Sequence, residues 1–289
     1  MNIDGYTRTC GVIGNPVEHT LSPVIHNTLA KAFAENLVYV PLRVPAGGLM
    51  AAVAGAWNLN LLGLNVTVPY KSEVIPFLQK LDPLAARIGA VNTLVRTQEG
   101  FEGYNTDMPG LYRAMCEDGV GIEGEKVLIL GAGGVARAVA MLLVQKGADQ
   151  VILMNRTLEK AKQIAGEVNQ IAGRPLVSAM ALADYTSLPE GDSFLAIQAT
   201  NVGMYPKTDA AVIEDTAFYR KIHTGYDLVF NPARTKFMSL VCQEGGRAYN
   251  GLKMLLYQGV IAYELWTGVK VGQDLAGEVY AKMQRAMDL

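Results

Sequence analysis

The run Lys126–Gly147, KVLILGAGGVARAVAMLLVQKG, constrains this chain more than any other stretch. Val127–Leu130 is a short aliphatic segment, long enough for a buried strand. It passes directly into Gly131-Ala132-Gly133-Gly134 and then into Ala136–Lys146, which reads as a helix closed by Gly147. Strand, glycine turn and helix in that order are the setting in which G-x-G-x-x-G/A binds a dinucleotide. Gly131 would make the tight turn, Gly133 would let backbone approach a pyrophosphate, and Ala136 would take the small position where helix packs on strand. The N-terminus of that helix then offers free N–H groups and a positive dipole end to phosphate.

The following strand bears on which dinucleotide. Gln150–Met154 is a second apolar run, and it ends in Asn155-Arg156-Thr157 with no acidic residue. NAD sites usually place a carboxylate there for the ribose 2′-OH, whereas an arginine accommodates a 2′-phosphate. Arg156 can pair with phosphate and the Thr157 hydroxyl can donate to it. The competing reading makes Arg156 a solvated charge capping a loop. NADP is the expected cofactor.

At 289 residues the chain exceeds the usual single core, so one large or two medium domains are expected. A formal charge of −2 without basic runs argues against nucleic acid as a partner. No apolar run reaches membrane-spanning length and MNIDGYTRT lacks a signal-peptide core, so a cytoplasmic protein without a membrane partner is expected. Cys10, Cys116 and Cys242 stand far apart and in no CxxC pattern, which suggests free thiols filling the core. His19, His26 and His223 show no metal-ligand spacing, and no metal is expected.

Before the glycine motif, strands at Thr9–Ile13, Leu37–Val44 and Leu61–Val68 alternate with helices at Val24–Glu35 and Gly48–Trp57, the pattern of an open, mostly parallel α/β sheet. Ser22 before Pro23 reads as a helix N-cap. Thr20 precedes that cap and is not needed for it, and two hydroxyls two residues apart at a helix start suit a small carboxylate. In the third strand Asn65 and Thr67 share one face, opposite Val66 and Val68. Lys71 follows at the entrance to what reads as the next helix, a place where most lysines are merely solvated. Asn92 falls inside the apolar strand Ala90–Arg96, where an unpaired amide would be costly. That strand and Phe101–Tyr104 read as a hairpin, and Asp107 then precedes a helix to Glu117, where an N-cap role is the commonest explanation. The domain boundary is expected near Asp107. In the second half, Ser193–Thr200 and Gly225–Phe230 read as strands ending in Thr200-Asn201-Val202-Gly203-Met204 and Asn231-Pro232. Gly251 introduces the apolar helix Leu252–Trp266, with Gln258 at its middle, and Asp274–Met287 is a last amphipathic helix. This pair is expected to return to the first domain, giving 1–106 with 251–289 as one domain and 107–250 as a Rossmann-type domain.

Taken together, the hydroxyl-x-Ser-Pro at Thr20–Pro23, NVTVPYK at Asn65–Lys71, AVNT at Ala90–Thr93, NTD at Asn105–Asp107, GAGGVARA, NRT, TNVGM, Tyr226-Asp227 and MLLYQ ending in Gln258 closely resemble the shikimate dehydrogenase family over essentially the whole chain. The resemblance implies a two-domain enzyme with NADP(H) and substrate in a cleft. Such an enzyme oxidises the C3 hydroxyl of shikimate or reduces 3-dehydroshikimate, in aromatic amino-acid biosynthesis, as a monomer or homodimer. It implies Thr20 and Ser22 at the substrate carboxylate, Asn92 and Asp107 at ring hydroxyls, and Thr67, Tyr226 and Gln258 completing the pocket. It implies Lys71 and Asp107 as the catalytic pair. Gly131, Ala132, Gly133, Gly134, Val135, Ala136, Asn155, Arg156, Thr157, Thr200, Met204 and Gly251 would contact or adjoin the cofactor.

The chain departs from the family's usual pattern at Thr20, where Ser is common, at Gln198, where Asn is common, and at Lys236, where Pro is common. The methyl of Thr20 bears on acceptance of quinate. Three other readings stand beside the main one: a quinate/shikimate dehydrogenase using NAD or NADP, a non-catalytic paralogue that senses nucleotide, and another two-domain NADP enzyme such as a methylenetetrahydrofolate dehydrogenase. Keeping both Lys71 and Asp107 weighs against the second, since a sensor needs neither for proton transfer. Thr20–Pro23 and Gln258 weigh against the third.

Overall fold

A computed structural model describes residues 3–287 of the chain. The chain forms two compact units: one comprises the residues up to Leu111 together with those from Leu255, and the other is Tyr112–Met254.

In the first unit the elements are β1 (Arg8–Gly14), α1 (Ser22–Ala32), β2 (Leu37–Arg43), α2 (Leu49–Asn58), β3 (Gly63–Val66), β4 (Lys80–Leu81), α3 (Pro83–Ile88), β5 (Thr93–Arg96) and β6 (Phe101–Tyr104). Helix α4 (Asp107–Glu117) carries the chain into the second unit. The sheet runs β2-β1-β3-β5-β6-β4, with β1 parallel to both β2 and β3, and with β5 antiparallel to β3 and β6. Ile13 of β1 and Leu64 and Val66 of β3 are buried with Val53, Ala85 and Phe101 in its core, and Leu42 of β2 packs against them.

The second unit contains β7 (Lys126–Leu130), α5 (Gly134–Gln145), β8 (Gln150–Asn155), α6 (Leu158–Ala172), β9 (Val177–Ala181), β10 (Phe194–Gln198), α7 (Thr216–Tyr219), β11 (Ile222–Asp227), α8 (Lys236–Gln243) and β12 (Arg247–Tyr249). Its sheet is wholly parallel in the order β12-β11-β10-β7-β8-β9, the doubly wound arrangement, with the order reversing between β7 and β10. Helix α9 (Leu252–Thr267) begins in this unit and α10 (Gln273–Met287) lies in the first, where it packs on α1. The Trp266 indole N–H of α9 donates to Leu94 O of β5 at 2.9 Å, tying the returning helix to the first sheet.

Several local expectations are overturned. Ser22 is the first helical residue of α1 rather than its cap; Leu21 holds the cap position, and no side chain caps the helix. The third strand stops at Val66, and Val68 is 64% exposed instead of buried, because the chain turns at Pro69. Lys71 therefore lies in a turn that leads to a short 3-10 segment, Ile75–Phe77, and not at a helix start. Of the three free cysteines only Cys10 is buried; Cys116 and Cys242 are exposed, each near the end of its helix. Among the described residues no cluster of three or more His, Cys, Asp or Glu could hold a metal, and no helix is long and apolar enough to cross a membrane.

Candidate active site

The turn after β3 is fixed by backbone bonds: Tyr70 N–H donates to Thr67 O at 2.9 Å and Val91 N–H donates to Lys71 O at 2.7 Å. These bonds deliver the Lys71 side chain toward the start of α4. There Lys71 Nζ lies 2.7 Å from Asp107 Oδ2, with the lysine side chain 32% exposed and the aspartate 17% exposed. The other carboxylate oxygen, Asp107 Oδ1, accepts from Asn92 Nδ2 at 2.9 Å. Two residues that are 36 positions apart thus form one charge-assisted pair.

Asn92 stands just before β5 and is buried, and it is fully partnered. Its Oδ1 accepts from Thr106 N–H at 2.7 Å, which assigns the amide orientation, and its Nδ2 then faces Thr106 Oγ1 at 3.0 Å and Asp107. Gln258 Oε1 of α9 lies 3.4 Å from the same nitrogen, while Gln258 Nε2 donates to Leu255 O at 2.9 Å. Lys71, Asp107, Asn92 and Gln258 are therefore contiguous. Thr106 was not singled out in the sequence; its signal was a threonine between two polar residues at the end of a buried hairpin.

At the start of α1, the Thr20 hydroxyl donates to Ser22 Oγ at 3.1 Å and accepts from Ser22 N–H at 3.2 Å. Losing the N-cap role leaves Ser22 Oγ beside the Tyr39 hydroxyl, at a helix N-terminus whose first N–H group is answered by the Thr20 hydroxyl. Thr67 follows β3 and is half-buried, its N–H donating to Ile13 O at 2.9 Å.

In the second unit the glycine turn sits at the reversal point of the sheet. Gly131 adopts φ +119°, and a Cβ there would lie 2.8 Å from Thr200 Cγ2 at the end of β10, so both conformation and close approach require glycine. Ala136 is completely buried against the sheet. Gly133 and Gly134 are exposed, and a Cβ on either would meet nothing within 4 Å. Protein packing therefore does not demand these two glycines. A phosphate lying on the backbone at the α5 N-terminus would, and this cradle fits a dinucleotide.

Asn155 Nδ2 donates to Thr157 O at 2.9 Å and shapes the turn after β8. Thr157 occupies the N-cap position of α6, yet its side chain caps nothing, and Arg156 is exposed. A cation and an uncommitted hydroxyl stand together at a helix N-terminus, a donor set that fits a phosphate. The Thr200 hydroxyl accepts from Val202 N–H at 3.1 Å and donates to Gln198 Oε1 at 2.7 Å, and this ordered turn presents Met204 to solvent.

Two expected residues have structural employment. Tyr226 is corrected: its side chain is completely buried in the second unit, stacks on Tyr249 at 5.9 Å and donates its hydroxyl to Asp118 Oδ2 at 3.1 Å, so it has no surface to offer a substrate. A Cβ on Gly251 would lie 2.3 Å from Leu228 O, so backbone crossing alone accounts for glycine there.

Comparison with known proteins agrees with this architecture. Family models described as shikimate dehydrogenase substrate binding domain, shikimate / quinate 5-dehydrogenase and shikimate 5′-dehydrogenase C-terminal domain match residues 12–94, 115–188 and 251–275. The shikimate dehydrogenase (NADP(+)) of Carboxydothermus hydrogenoformans is 41% identical over 278 residues, covering 93% of this chain and 95% of that protein. A shikimate dehydrogenase crystallised in complex with NADP+ superposes with a TM-score of 0.88 at 34% identity, covering 97% of each chain. The shikimate 5-dehydrogenase of Listeria monocytogenes, in complex with shikimate and NAD, gives a TM-score of 0.88 at 30% identity, covering 96% of this chain and 98% of that one. With three family models matched along it and relatives alike over more than nine-tenths of its length, the chain belongs to the shikimate dehydrogenase family.

Proposed function

We propose that this chain is an NADP-dependent oxidoreductase that interconverts 3-dehydroshikimate and shikimate, and that it acts in the cytoplasm as a monomer or homodimer. The observation that carries the reading is the Lys71–Asp107 pair at 2.7 Å, with Asn92 and Gln258 joined to it by hydrogen bonds. When bound, the nicotinamide accepts or supplies the hydride. The protein must bind the ring acid, orient its C3 and move one proton.

Lys71 as ammonium donates to the C3 oxygen as negative charge develops there, and takes the proton back in the oxidative direction. Asp107 holds that lysine in place by a charge-assisted bond, and accepts from a ring hydroxyl. Thr20 and Ser22 hold the carboxylate; Asn92, Thr67 and Gln258 address the remaining hydroxyls. A site of amides and hydroxyls rejects analogues that lack the matching groups, because its buried polar atoms would be left unpaired. In the second unit the turn 131–136 would hold the pyrophosphate, Arg156 and Thr157 would take the 2′-phosphate with Asn155 shaping their turn, and Thr200 and Met204 would contact the cofactor.

The relative crystallised with shikimate and NAD keeps a second reading in view, in which both dinucleotides and quinate are accepted. A rate matrix of shikimate and quinate against NADP+ and NAD+ tests both. The proposal expects shikimate with NADP+ to dominate; comparable rates for quinate, or with NAD+, favour the second reading, and no shikimate oxidation with either dinucleotide rejects both.

A further inference from the structure

Behind Asn92 the first unit contains a line of polar side chains that the catalytic roles do not use. Tyr39 of β2 donates its hydroxyl to Asn65 Oδ1 of β3 at 2.7 Å. Asn65 Nδ2 donates to Thr93 Oγ1 at 3.1 Å and to Asn92 O at 3.2 Å. The Thr93 hydroxyl lies 3.3 Å from Asn92 Oδ1 and 3.1 Å from Thr106 Oγ1. Asn92 then donates to Asp107 Oδ1 at 2.9 Å. Tyr39, Asn65, Thr93, Thr106 and Asn92 are all buried.

Placing these groups in a core is costly unless each is satisfied, and apolar side chains of similar size would avoid that cost. The line is nonetheless complete, and its direction is determined. Asn92 O is a carbonyl and can only accept, so the Asn65 amide must turn its NH2 toward it and its oxygen toward Tyr39. Thr93 Oγ1 then receives a hydrogen from Asn65 and has its own hydrogen free for Asn92 Oδ1 or Thr106. Asn65 and Thr93 are direct partners across the antiparallel β3–β5 pair, so the backbone register itself holds this link.

We propose that Tyr39, Asn65 and Thr93 are positioning residues that set, through Asn92, the hydrogen-bond direction and placement of the Asp107 carboxylate. This rests on the reading of Lys71 and Asp107 as the catalytic pair. The line ends on the carboxylate that orients the lysine, so a loosened Asn92 amide displaces the pair by a fraction of an ångström without removing any group that touches substrate. Small displacements of reacting groups lower turnover more than affinity.

The test uses the full-length enzyme and shikimate oxidation with NADP+. Thr93→Val keeps the shape and removes the hydroxyl; kcat should fall about tenfold, while the KM for shikimate and the Kd for NADP+ stay within about threefold. Thr93→Ser restores the hydroxyl and should recover most of the turnover. Tyr39→Phe cuts the same line further back and should lower kcat in the same sense. The Tyr39→Phe, Thr93→Val double variant should be no slower than Thr93→Val alone, since a line cut once gains nothing from a second cut. Wild-type turnover in Thr93→Val, equal losses in the Val and Ser variants, or losses that multiply in the double variant would each overturn the proposal. A wild-type protein that fails to oxidise shikimate would instead reject the functional reading on which it rests.

Discussion

Replacing Lys71 by alanine removes one ammonium and leaves its neighbours in place, since Asn92 still donates to Asp107 Oδ1 at 2.9 Å. The size of the loss follows from where the charge sits. A unit charge about 3 Å from the developing C3 oxygenate contributes about 5 kcal/mol at an effective dielectric constant of ~20. The lysine side chain is 32% exposed, and solvent screening brings that to about 3–4 kcal/mol. The barrier should therefore rise enough to lower kcat by about 10²- to 10³-fold, the range seen for a positioned general acid. Affinity should change little, because the proposed carboxylate site, Thr20 and Ser22, belongs to a different segment, the start of α1. Steady-state NADPH formation at varied shikimate separates the two quantities. A kcat within about threefold of wild type, or a loss confined to KM, would remove the ammonium from the chemistry.

Arg156 is exposed in the turn after β8, so replacing it costs little in folding and reports on binding. Arg156→Ala should raise the KM for NADP+ by about 10- to 100-fold, the worth of a charge-assisted contact to phosphate, and leave NAD+ within about threefold; equal weakening of both would mean that it does not read the 2′-phosphate. His26 offers a pH prediction. Its ring is fully buried and stacks on Tyr39 at 4.2 Å; neither ring nitrogen has a partner in hydrogen-bond geometry among the described residues, and the nearby Asn65 side chain offsets the burial only in part. Burial pushes its pKa down to about 3, below the ordinary value of 6.5, so between these limits the unfolded chain binds the extra proton. Stability attributable to this residue is thus full above pH 6.5 and is lost as pH falls toward 3. His26→Phe should be near neutral at pH 7.5 and more stable than wild type by about 2 kcal/mol at pH 5, measured by urea unfolding; a difference that does not change with pH would contradict this.

The nucleotide-binding half was the more legible part of the sequence, because its signals are local. Gly131, Ala136 and the acid-free strand end at Asn155–Thr157 each carry their meaning within a few residues, and the sheet order follows from repeated β-α alternation. The substrate side depends on contacts between distant segments, which no window contains. Lys71 was read as a helix-start residue because the turn at Pro69 and the bond from Val91 to Lys71 O are invisible locally. Ser22 looked like a cap because Ser-Pro usually is one, yet the helix starts one residue earlier in backbone terms and its hydroxyl turns to Thr20. Tyr226 sits beside a motif but on the buried face of β11, where strand alternation points it at Tyr249 and Asp118. Thr93 and Thr106 stand out in the sequence only as members of AVNT and NTD; the pairing of β3, β5 and β6 is what shows that they face Asn65 and Asn92.

The central claim is that an ammonium from a turn and a carboxylate from a remote helix start act on the substrate as one unit. A double-mutant cycle of Lys71→Ala and Asp107→Ala on kcat for shikimate oxidation with NADP+ measures that directly. If they form one unit, the double variant should be slower than the worse single variant by no more than about tenfold. Losses that multiply, each substitution costing the same with or without the other, would show two independent groups and contradict the account.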